Sequence, residues 1–137
     1  MFATRYLATS LALPSYALKT RVRGNCRFAR QVRAGKQIDI SCLKFGGDSG
    51  PHFLSLPGEL FVEYQLAAQN LVADAGADLL VAAYAEYGPG YIGPAVAYGQ
   101  GGYETGPASR VAPEVEGVLM DAIRRVLARR PSHGAMA

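Results

Sequence analysis

The distribution of apolar and polar positions divides the chain into segments of different period. From Ile38 to Phe45 the sequence Ile-Asp-Ile-Ser-Cys-Leu-Lys-Phe alternates at several positions, which predicts a half-buried strand. The cluster from Gly46 to Pro51 reads as a turn, and Phe53 to Leu56 supplies a partner strand, so the two predict a β-hairpin. Pro57-Gly58 breaks the chain. A helix is expected from Glu59 to Ala73, with Phe61, Tyr64, Ala68, Leu71 and Val72 on one face and Glu63, Asn70 and Asp74 on another. Glu59 would then lie in the first turn, where the helix dipole favours a carboxylate. Leu79 to Tyr84 is continuously apolar, the pattern of a strand buried on both faces of a parallel sheet. Strand, helix and strand in this order predict a βαβ unit, and the fold class is α/β.

The stretch from Glu86 to Arg110 is rich in glycine and tyrosine and predicts a long irregular loop after the buried strand. Open α/β sheets place their sites in such loops. The chain closes with a strong amphipathic pattern from Pro113 to Arg130, in which Val115, Val118, Leu119, Ala122, Ile123, Val126 and Leu127 form the apolar stripe. Pro113 suits the first turn, Glu114 and Glu116 its positive end, and Arg124, Arg125, Arg129 and Arg130 its negative end. Nearer the N-terminus, Cys26 to Ala34 predicts a short helix stopped by Gly35.

Composition changes this picture little. Half of the 137 residues are hydrophobic and 18% are charged, as expected of one folded unit with a modest core. The net charge of +3 is unevenly spread, with seven Lys or Arg between Lys19 and Lys36 and no acid before Asp39. Without interleaved aromatics beyond Phe28, this run reads as a solvated face or a surface meeting other protein, and not as a nucleic-acid module. Cys26 and Cys42 lack ligand spacing and read as idle thiols. The apolar N-terminal stretch has only Arg5 ahead of it and is broken by Pro14. It reads as a core segment in preference to an export signal, which favours the cytoplasm. No run reaches the roughly 18 apolar residues of a transmembrane helix.

By residue chemistry alone the chain offers little catalysis. His133 lies in the tail, and His52 reads as a surface or hairpin residue in preference to a metal ligand. Nucleophile triads, HExxH and phosphate-loop motifs have no counterpart. However, Leu56-Pro57-Gly58-Glu59, then an amphipathic helix, a buried strand and Tyr87-Gly88-Pro89-Gly90-Tyr91-Ile92, together resemble the neutral (alkaline, non-lysosomal) ceramidases, closest to the bacterial ceramidase-like proteins. Tyr98, Tyr103 and Glu104 continue the match, which runs from about Ile38 to Leu127.

The resemblance implies a zinc amidohydrolase whose metal is held by two histidines, a glutamate and a tyrosine, and whose zinc-bound water attacks the N-acyl amide of a sphingolipid-like substrate. Glu59 matches the glutamate and Tyr91 the tyrosine. The approach to Tyr91 is one residue longer than in better-known members, which leaves Tyr87 as a less favoured alternative. Each also has a plainer role, Glu59 as a dipole-facing carboxylate and Tyr91 as a packing tyrosine. Tyr103 and Glu104 read as loop-ordering residues, and Ser109 and Arg110 have no assigned role. Both histidine ligands belong to a part of the family domain N-terminal to the matched region, so zinc retention and catalysis by this chain alone are not expected. The implied organisation is a basic segment over 1–37, the C-terminal part of the hydrolase domain over 38–130, and a tail over 131–137. The implied partner is the remainder of such a domain. The competing reading is a non-catalytic interaction module using an exposed strand edge and the Gly/Tyr loop.

Overall fold

The computed structural model describes residues 4–11, 30–32, 34–46, 49–85 and 88–128, with side chains from residue 30 onward. Tyr87, Cys26, His133, Arg129 and Arg130 lie outside this set, as does most of the basic segment. A sheet of four strands runs in the order β1 (Thr4–Leu11), β2 (Ile38–Phe45), β3 (His52–Ser55) and β5 (Leu79–Ala82). The first three are antiparallel, and β3 pairs in parallel with β5. A two-stranded parallel sheet joins β4 (Glu59–Leu60) to β6 (Tyr91–Ile92). Among the described residues the helices α1 (Val62–Val72), α2 (Ala95–Gln100) and α3 (Val115–Ala128) can be followed end to end, and residues 30–32 are also helical.

The fold is α/β, with the hairpin of β2 and β3 and the parallel unit β3–α1–β5 that the periodicity predicts. The hairpin closes where Phe45 N–H donates to the Pro51 carbonyl at 3.0 Å. Gly35 takes the left-handed φ of 81° required of it, and its neighbours form a Schellman stop: Gly35 N–H bonds Val32 O and Lys36 N–H bonds Gln31 O, both at 2.9 Å. Residues 4–11 pair along the whole of β2, so the N-terminal segment contributes a strand to the sheet of the following region.

One face of the sheet carries the core. Ile38, Ile40 and Cys42 of β2, Leu54 of β3 and Leu79 of β5 pack beneath Tyr64, Ala68 and Val72 of α1 and Leu119, Ala122, Ile123 and Val126 of α3. Removing these apolar side chains from water is the main stabilisation, about 25 cal/mol per Å² buried. The other face is different. Leu43, Phe53 and Leu80 lie opposite one another across three strands, and Phe53 and Leu80 are 39% and 54% exposed.

Several sequence expectations are corrected. The segment Leu79–Tyr84 is not buried on both faces, because β5 is the edge of the described sheet and α1 and α3 both pack on its other side. The helix begins at Val62 and not at Glu59, because Glu59 and Leu60 are drawn into a ladder with Tyr91 and Ile92. Leu71 is 45% exposed and falls outside the stripe of Tyr64, Ala68 and Val72. The Gly/Tyr stretch is not wholly irregular, since it holds β6 and α2. No helix among the described residues is long and apolar enough to cross a membrane.

Candidate functional site

The site forms where the chain leaves the carboxyl ends of β3 and β5, the end of a parallel pair at which α/β proteins gather their chemistry. Leu56 N–H bonds the Ala82 carbonyl at 2.9 Å, and Ala85 N–H returns to the Leu56 carbonyl at 3.1 Å. The parallel pairing thus extends beyond β3 and delivers Pro57-Gly58-Glu59 beside Tyr84. Gly58 has φ of 70°, and a Cβ there would lie 2.8 Å from both Gly90 O and the Pro89 ring. Gly90 has φ of 76°, and a Cβ there would meet Ala108 O at 1.9 Å. Both glycines are needed because backbone passes where a side chain would stand.

This close approach lets Glu59 N–H donate to Gly90 O and Phe61 N–H to Ile92 O, each at 3.0 Å. Glu59 and Tyr91, distant in sequence, become register partners on adjacent parallel strands. Their side chains share one face, since residues directly opposite each other in a ladder point the same way. The phenol of Tyr91 is held above its ordinary pKa, chiefly by hydrogen bonding to the Glu59 carboxylate and further by the charge of Glu104. Tyr103 meets Tyr91 edge-on, with centroids 6.3 Å apart and planes at 73°.

A third group, missed in the sequence, completes the cluster. The Tyr84 phenol is also raised above its ordinary pKa, again chiefly by hydrogen bonding to Glu59. Its signal was its place at the end of the apolar run Leu79–Tyr84, where a strand in a parallel sheet hands over to the site. Glu59 therefore influences two phenols, and negative charge on either would be disfavoured by its carboxylate.

Other candidates serve the scaffold. His52 is not a surface residue: it is 1% exposed and its Nδ1–H donates to Gly50 O at 2.7 Å, fastening the hairpin turn. Cys42 is a free buried thiol whose pKa burial pushes up, in keeping with an idle role. Tyr98 shares a 3.4 Å hydrogen bond with Ser109, itself tied to the Val111 carbonyl. Arg110 clamps the loop, with its guanidinium on Gly88 O at 3.2 Å and its N–H on Pro89 O at 2.9 Å.

Zinc needs four ligands in a structural site, or three and an open position in a catalytic one. Among the described residues no three His, Cys, Asp or Glu side chains converge as metal ligands. The cluster offers one carboxylate and two phenols, Tyr84 and Tyr91. These residues do not fit a self-sufficient zinc site. Comparison with protein-family models, curated proteins and solved structures finds no match to this chain.

Proposed function

We propose that this chain is part of a zinc-dependent amidohydrolase domain resembling neutral ceramidase, acting on the N-acyl amide of a sphingolipid-like substrate when complete, and inactive alone. Glu59 and Tyr91 are the two oxygen ligands this chain contributes. The observation that carries the reading is the in-register pairing of these two residues, made possible by glycines at 58 and 90. The histidine ligands of the family have no counterpart among the described residues, where His52 is turned inward onto Gly50 O. Within this chain Glu59 and Tyr91 would orient one another and keep a pair of oxygen atoms at the sheet's end.

Zinc analysis of the purified chain tests this. After dialysis the chain should retain well under one zinc per molecule and release no fatty acid from ceramide. Titrated Zn²⁺ should bind weakly to the native chain and more weakly still to Glu59→Gln and Tyr91→Phe. Equal zinc binding by all three proteins would remove the reading. Genomic DNA adjoining the gene should encode a segment carrying the two histidines.

A second reading has its own support. The row of half-buried Leu43 with exposed Phe53 and Leu80, ending at an edge strand, suits a non-catalytic module that binds a protein partner.

A further inference from the structure

Lys44 and His52 stand opposite each other in the β2–β3 register, and both are buried although both carry polar groups. They lie at the amino end of β3, the far end of that strand from Pro57-Gly58-Glu59. Both line a cavity of about 210 Å³ between the sheet's end and the last turns of α1 and α3, where Leu71 and Leu127 supply apolar wall. A second cavity of about 190 Å³ shares Leu71, Leu127 and Ala128 with the first and adds Arg124, so the two adjoin. Each basic group of the first cavity has a bond within the fold and polar capacity beyond it. The Lys44 ammonium carries three protons and gives one to Leu127 O at 3.1 Å. His52 spends Nδ1–H on Gly50 O at 2.7 Å, which leaves Nε2 as the ring nitrogen that can serve the cavity. Arg124 stands at the outer wall and pairs with the exposed Asp121 at 2.9 Å. Among the described residues, no aspartate or glutamate lines either cavity.

We infer that this pair of cavities is a binding site for a short aliphatic carboxylic acid, its carboxyl group between Lys44 and His52 and its chain along Leu71 and Leu127. One carboxyl oxygen accepts from Lys44 Nζ, a charge-assisted hydrogen bond in a water-poor place. The other shares the acid's own proton with His52 Nε2, so no further reactant is needed. The chain runs over apolar wall toward Arg124, whose methylene stem continues that surface while its charged head stays in water. The mixture of a few convergent polar groups and a mostly apolar lining is that of small-molecule sites in general. A bare inorganic anion would lose its hydration against the apolar wall without replacement, and a plain hydrocarbon would leave the polar groups of Lys44 and His52 unanswered. The site lies at the other end of β3 from Glu59 and needs no metal, so it stands apart from the amidohydrolase reading.

The test is an NMR titration of the full chain with hexanoate. Saturable shifts are expected at the His52 ring and at the Leu71 and Leu127 methyl groups, with hexanol and hexylammonium at least about tenfold weaker. Lys44→Met should weaken hexanoate by about tenfold or more and leave hexanol unchanged. Because that substitution also removes a helix cap, Leu71→Glu provides a second arm. Leu71 is exposed, so the amide spectrum should be preserved, while an acid at the cavity wall repels the carboxylate and weakens hexanoate severalfold. The inference is overturned if the His52 ring does not respond to hexanoate, if hexanol binds as well as hexanoate, or if Leu71→Glu with a native amide spectrum binds hexanoate unchanged.

Discussion

Gly90 shows how much one position can govern. Its Cα lies so close to Ala108 O that a methyl group has no space, and its φ is positive. Gly90→Ala should therefore cost about 2–4 kcal/mol of stability by urea denaturation, combining backbone strain with displacement of a packed strand. It should also part Glu59 from Tyr91. Tyr64 illustrates a buried polar group with its partner. Its hydroxyl donates to Gly93 O at 3.0 Å, and burial drives its pKa far upward. Tyr64→Phe leaves that carbonyl unpaired and should cost about 1–2 kcal/mol. The pH dependence follows in sign. An unfolded Tyr64 ionises near pH 10 whereas the folded one stays protonated well above it, so the stabilisation is complete below pH 10 and is lost progressively as pH rises beyond. Alkaline denaturation should be steeper in the native chain than in Tyr64→Phe. These residues differ in legibility. Glu59 and Tyr91 stand in motifs that name them, whereas the place of Tyr84 beside Gly58 depends on a backbone conformation that no residue pattern announces.

Among the elements, β2 is the one whose pattern misleads. Its buried parity is Ile38, Ile40, Cys42 and Lys44, while Leu43 and Phe45 share the outer parity with Asp39 and Ser41. A lysine thus points into the core at 5% exposure. It is tolerated because its Nζ donates to Leu127 O at 3.1 Å, at the carboxyl end of α3 where the helix dipole is negative. Lys44→Met, which keeps the stem and removes the charge, should destabilise the chain by about 1–2 kcal/mol in denaturant titration, through loss of this cap. Helix α3 was legible almost to its ends, since a stripe repeating over four turns admits one burial choice. Helix α1 starts later than its pattern predicts because β4 takes Glu59 and Leu60.

The described residues form two layers, with one sheet face covered by α1 and α3 and Phe53 and Leu80 exposed on the other. Phe53 and Leu80, side by side on that face at the sheet's edge, form an exposed apolar pair suited to association. Leu80→Lys should change stability by under about 0.5 kcal/mol while lowering self-association or partner capture, as read by light scattering across a concentration series. An unchanged concentration dependence would remove the open face from the interaction reading.

The α/β class, the hairpin, the order of strand, helix and strand, and the last helix are all legible in the residue pattern, because apolar periodicity and glycine or proline punctuation act over a few residues. Which face of each strand is covered, that Lys44 and His52 turn inward, and that Glu59 leaves the helix to pair with Tyr91 were decided by tertiary structure. Those outcomes depend on contacts between segments far apart in the chain, where burial and backbone pairing outweigh local preference.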